Sequence, residues 1–143
     1  MRTTKFWAAL TAMFGLMAGG AVLADEVGPH KGPVAVWGDE EYHLEVVPNK
    51  ADGTVVVYVF GDHEDLHHKK RKPLAKETKL TLTLKTTPAT TLKLEASPEK
   101  NDPTGECSKF TARHDVFKKD VKLAGTISGK VGTKPYTGDF KQK

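Results

Sequence analysis

The chain has 143 residues, 38% of them hydrophobic and 28% charged, with a formal net charge of +4 and a single cysteine. This balance fits one soluble domain and excludes collagen-like, coiled-coil and wholly disordered chains. Cys107, being alone, cannot staple the fold through an internal disulfide, and it reads as a small buried hydrophobe.

The first residues form a unit of their own. Met1 to Lys5 is a short cationic start, Phe6 to Ala18 is apolar and free of acids, and Gly19 to Ala24 carries small side chains up to a cut after Ala24. Residues 1–24 therefore read as a secretory signal peptide. An uncleaved anchor is the rival, because Phe6 to Ala24 is just long enough to span a bilayer of roughly 30 Å. No cysteine stands at the cut, so a lipid anchor is not indicated, and a cleaved chain would be periplasmic or secreted with no stable membrane anchor. Cleavage removes Arg2 and Lys5 and no acid, so the formal charge falls from +4 to +2. Such a charge gives no reason to expect a nucleic-acid partner.

Residues 25–33 are a Gly- and Pro-rich lead-in, expected to be flexible, and the ordered domain is expected over 34–143. From Val34 the apolar period is two. Val34 to Trp37, Tyr42 to Val47 and Thr54 to Phe60 read as an antiparallel meander broken at Gly38-Asp39 and at Asn49 to Gly53. Leu80 to Leu84 and Leu92 to Ala96 alternate around Thr87-Pro88-Ala89, a further strand is centred on Phe110 and Ala112, and Val121 to Val131 and Pro135 to Phe140 close the chain. No window shows helical spacing. Seven or eight short strands with turn signals between them predict an all-β fold, a small antiparallel β-sandwich of the immunoglobulin-like kind, with a small open β-barrel as the alternative.

Chemistry-bearing residues concentrate in Gly61-Asp62-His63-Glu64-Asp65-Leu66-His67-His68-Lys69-Lys70-Arg71-Lys72. A register placing Tyr42 opposite Phe60 sets His43 opposite Val59, and the 61–65 loop then leaves from the end of the sheet that holds Asp39, Glu40 and Glu41. Imidazole suits zinc, copper, nickel and iron, so His43 and His63, with Asp62 and Glu64 beside them, form a candidate metal-binding edge. His30 joins them only if the lead-in folds back; otherwise it lies toward the opposite end. His63 and His67 are four apart and face one way only in a helical turn. None of these spacings is a recognised zinc motif. Lys69, Lys70, Arg71 and Lys72 read as a solvated connection or, alternatively, as a contact for an anionic polymer or an acidic envelope protein. No nucleophile elbow, phosphate loop or dinucleotide fingerprint is present, and a non-enzymatic role is expected.

Two stretches carry a resemblance. His30-Lys31-Gly32-Pro33-Val34, with Trp37-Gly38 and Tyr42-His43-Leu44-Glu45, resembles the start of small exported bacterial domains, some of them found alongside heavy-metal efflux adaptor proteins. Gly125 to Val131 with Pro135 to Phe140 resembles an uncharacterised group of small exported bacterial β-sandwich proteins that share both ends. The first likeness implies metal handling and makes His30 and His43 the positions to carry over; the second implies no function. The expectation is an exported, non-enzymatic β-sandwich that binds copper or zinc through His43 with His63 or His30. The alternative is an envelope interaction module without metal.

Overall fold

A computed structural model describes residues 26–143. The predicted signal peptide, residues 1–24, lies outside the described residues. Among the described residues, no helix is long and apolar enough to cross a membrane.

The molecule is an antiparallel β structure. Strands β1 (Val34–Trp37), β2 (Tyr42–Asn49) and β3 (Thr54–Phe60) form the expected meander. A single helical turn, α1 (His63–His67), follows. Then come β4 (Leu74–Ala75), β5 (Leu80–Leu84), β6 (Thr90–Ala96), β7 (Glu106–Cys107) and β8 (Lys109–Arg113). A 3-10 turn over Asp115–Lys118 precedes β9 (Ala124–Val131) and β10 (Lys134–Lys141). Eight strands make one sheet in the order β1-β2-β3-β8-β6-β5-β9-β10, while β4 and β7 pair separately.

The large sheet curls on itself. β6 pairs with β5 along its length, and its last residues Glu95 and Ala96 then pair with Thr111 and Phe110 of β8, which joins the two halves. At the other side β1 packs against β10. Gly138 permits that approach, since a Cβ there would sit 2.5 Å from the Val36 carbonyl oxygen. The result is sandwich-like and nearly closed as a barrel, so both readings of the strand pattern describe part of it.

Inside lies one core, built from every second residue of each strand, as the pleat requires. Leu44, Val46, Val55, Val57 and Val59 meet Leu80, Leu82, Leu84, Phe110, Ile127 and Phe140 there. Trp37 is fully buried, stacks on Tyr136 at a centroid distance of 5.3 Å and donates its indole N–H to the Ile127 carbonyl at 3.0 Å. Cys107 is buried in this core and donates to the Lys109 carbonyl. Burial pushes its thiol pKa up.

The register between β2 and β3 differs from the expected one by a single residue. His43 faces Phe60, not Val59, and Asn49 pairs with Thr54. The reason lies in the turn: Gly53 takes φ +74° and donates its N–H to the Asn49 carbonyl, closing a loop shorter by one residue than expected. The slip exchanges the faces of β3, as it must where side chains alternate. Val55, Val57 and Val59 turn to the core, and Val56, Tyr58 and Phe60 join His43 and Glu45 on the outer face. That face is itself covered. Val34, Phe60 and Leu66 form a second apolar cluster, with Tyr58 packed against it.

Candidate metal centre

The loop after β3 forms one turn of helix because its sequence can cap and anchor it. Asp62 is the N-cap and accepts the Asp65 N–H through Oδ1 at 2.9 Å, the usual service of an acid at that position. Leu66 is the one buried residue of α1 and pins the turn to Phe60 and Val34. With Leu66 inward, His63 and His67 project together on a more exposed side. Their Nε2 atoms are 2.8 Å apart, and the rings meet edge to face with centroids 4.3 Å apart.

A carboxylate from the lead-in completes the group. Residues 26–33 do not run away from the domain but fold back as a strap across the outer face of β2. Val27 bridges to Pro33, the Gly28 N–H donates to the Gly32 carbonyl at 2.8 Å, and the Lys31 N–H donates to the Gly28 carbonyl at 2.9 Å. The strap ends with Glu26 at α1. Its Oε1 lies 2.9 Å from His63 Nδ1, and its Oε2 lies 3.7 Å from His43 Nε2. One donor atom each from Glu26, His63 and His67 lies within 4.8 Å of the others.

The distances suit a small divalent ion. Two nitrogens bound to one zinc at about 2.05 Å, with an angle of about 90–109° between them, are separated by about 2.9–3.3 Å. The His63 and His67 nitrogens need to open by only a few tenths of an ångström to reach that spacing. Two imidazole nitrogens in contact hold a single proton between them, and a metal ion would take that proton's place.

His43 forms the floor. It is buried, and its Nδ1 lies 2.8 Å from the Gly61 carbonyl, which can only accept, so the proton is on Nδ1. Its other ring nitrogen, Nε2, lies on the side of Glu26. A backbone carbonyl on the remote nitrogen is the partner that fixes the tautomer of metal-binding histidines.

Other predicted site residues have different places. His30 is 38% exposed at its side chain and is not with His63; its Nδ1 lies 2.7 Å from Glu45 Oε2, and its ring stacks on Tyr58 at 4.1 Å. The cause is the strap, which turns at Gly28 and Gly32 and so delivers position 26, rather than position 30, to α1. Asp62 is engaged as the N-cap, and exposed Glu64 pairs with His68 at 3.4 Å on the far side of the turn. Glu41 accepts from Lys134 at 2.6 Å and from the Tyr136 hydroxyl at 2.7 Å, and these bonds hold its carboxyl below the ordinary range. His114 caps the 3-10 turn, accepting the Val116 N–H at 3.1 Å.

The basic run does not present one face. Lys70 pairs with Asp65, Arg71 lies over the rings of Tyr58 at 4.1 Å and Phe60 at 5.3 Å, and Lys72 lies over Tyr42 at 4.3 Å. Arg71 Nη1 is buried, 3.4 Å from Glu99 Oε2 and without a hydrogen-bond partner. Two of the four cations are thus committed to aromatic packing.

Sequence reasoning missed Glu26 and left His67 outside the candidate metal-binding edge. The framing of the lead-in by Gly28-Pro29 and Gly32-Pro33 is the signal that could have shown a reversal there. Fold and site together define an all-β protein with a histidine and carboxylate cluster on the outer face of its first meander. Comparison with known proteins yields no match, whether with a protein-family model, a curated protein or a solved structure.

Proposed function

We propose that this is an exported, non-enzymatic protein that binds one transition-metal ion, zinc or copper, through Nε2 of His63 and of His67, with Glu26 on the other nitrogen of His63 as its orienting carboxylate and His43 behind them. The observation that carries the reading is the pair of Nε2 atoms 2.8 Å apart on α1 with a carboxylate on the other nitrogen of His63. A pair of imidazole nitrogens is a donor set for zinc or copper rather than for calcium or magnesium. The resemblance of the His30 to Glu45 stretch to domains found beside metal-efflux adaptors supports the same class, with the ligand role on His63 and His67 rather than on His30. The leader-like residues 1–24 support export.

The test is titration of the purified protein with Zn(II) and Cu(II) against a competing chelator, with the intact mass recorded. One equivalent should bind with a dissociation constant below a micromolar. His63→Ala should abolish that site, Glu26→Gln should weaken it by about 10–100-fold, His68→Ala should leave it, and the mass should place the N-terminus at Asp25. Equal binding by the His63→Ala and His68→Ala variants would mark the affinity as a property of loose loop histidines and sink the proposal.

A further inference from the structure

Two residues from His43, on the same outer face of β2, lies a carboxylate with no exposure at all. Glu45 is 0% exposed. Burying a charge is costly unless it is fully hydrogen-bonded, and every partner that Glu45 has belongs to the strap. Its Oε1 accepts the His30 N–H at 2.7 Å and the Gly32 N–H at 3.0 Å, and its Oε2 lies 2.7 Å from His30 Nδ1.

The strap is moulded to that side chain. A Cβ on Gly28 would fall 2.3 Å from Glu45 Cδ, and one on Gly32 would fall 2.2 Å from the Val46 carbonyl oxygen. Lys31 between them takes φ +66°, a conformation that a residue with a side chain adopts only when its surroundings require it. Glu26 is two residues before Gly28, so the place of its carboxylate follows from the seating of the Gly28–Gly32 turn.

From this we infer that Glu45 is the positioning residue of the metal centre: by clamping the strap it holds Glu26 at His63, without itself touching the ion. The inference rests on the metal reading above. It makes the strap and the ion partners in one equilibrium. An ion on Nε2 of His63 strengthens the bond from its other nitrogen to Glu26 and so holds the strap down, and a seated strap raises the affinity for the ion by the same factor, as linkage demands. The arrangement is the carboxylate equivalent of the outer partners that orient metal-binding histidines, whose loss costs about 10–100-fold in affinity.

The experiment uses the full chain and two variants, Glu45→Gln, which keeps the shape, and Glu45→Met, which also removes both acceptors. Zn(II) affinity is measured by chelator competition, the Cu(II) form is examined by electron paramagnetic resonance, and amide hydrogen exchange is followed at His30 and Gly32. Circular dichroism establishes that each variant retains the β fold. In the metal-free wild type those two amides should be protected, and both variants should lose the protection. Zinc affinity should fall at least tenfold in Glu45→Met and by a smaller factor in Glu45→Gln. The Cu(II) spectrum of Glu45→Met should match that of Glu26→Gln, because both lack the carboxylate at the other nitrogen of His63. In a Glu26→Gln background, Glu45→Met should cause no further loss, since the two residues act through one contact.

Unchanged zinc affinity in a Glu45→Met protein whose amides exchange freely would overturn the positioning role while leaving the metal centre intact. A further tenfold loss in the Glu26→Gln background would also overturn it, by showing that Glu45 acts on the fold at large. A wild type that binds no metal, with both amides protected, would overturn the metal reading and the role of Glu45 in it, leaving the strap as a purely structural clasp.

Discussion

His67 offers the sharpest test, because its two roles separate cleanly. In the absence of metal its side chain, exposed, is in contact with His63, while Leu66 beside it carries the burial of α1. Alanine is the better helix former, so His67→Ala should change the stability of the metal-free protein by no more than about 0.5 kcal/mol. Zinc at a hundred times its dissociation constant should stabilise the wild type by about 2.7 kcal/mol, since the ion binds the folded chain alone. For a domain of this size each kcal/mol moves the melting midpoint by about 3–5 °C, so zinc should raise it by about 8–13 °C. Removal of one of the two nitrogens is set at a hundredfold loss, about 2.7 kcal/mol. The same zinc concentration then equals the new dissociation constant and stabilises by only about 0.4 kcal/mol. The assay is thermal unfolding followed by near-ultraviolet circular dichroism, with and without zinc, at neutral pH. A zinc-induced rise in His67→Ala as large as in the wild type would refute the reasoning, and so would a wild type that zinc does not move.

Two further outcomes follow from the rest of the molecule. Burial pushes Asp102 up, but the hydroxyl and N–H of Ser108 and the N–H of Glu99 outweigh it and hold its carboxyl below the ordinary value of 3.8. A depressed folded-state pKa contributes stability that is present above the unfolded value and lost as pH falls through the folded one; Asp102→Asn should therefore cost about 1 kcal/mol at pH 7, and urea midpoints of mutant and wild type should converge below about pH 4. Arg71→Gln should cost about 1–2 kcal/mol in urea unfolding, from its two ring contacts and Glu99; Lys69→Gln should stay within about 0.5 kcal/mol, and equal effects would contradict the division of the basic run.

The strands were legible in advance because their signal is local. The short apolar run Val34–Trp37, the continuous β-branched and aromatic run Thr54–Phe60 and the alternation at Leu80–Leu84 mark those segments with their observed limits. What alternation cannot specify is which face is inward when both carry large apolar groups. Val55, Val57 and Val59 compete with Tyr58 and Phe60 for the core, and the length of a single turn decides between them. The two-residue strands β4 and β7 left no periodic trace at all, since two residues cannot display a period. α1 was hidden for a similar reason: with one buried residue it has no helical stripe, and its stability comes from the Asp62 cap and from Leu66 reaching the second apolar cluster.

The site divides along the same line. Sequence by itself determined the β class, the meander, the placing of His43 and Glu45 on one strand face, and the concentration of imidazoles after β3. Each of these depends on residues near one another in the chain. Tertiary structure alone decided that Glu26 rather than His30 reaches His63, that His67 turns toward His63, and that Arg71 and Lys72 lie on aromatic rings. Those outcomes depend on a strap closing over a strand, where a buried carboxylate and two glycines must fit at once, and such a closure is a property of packed surfaces that no local pattern encodes.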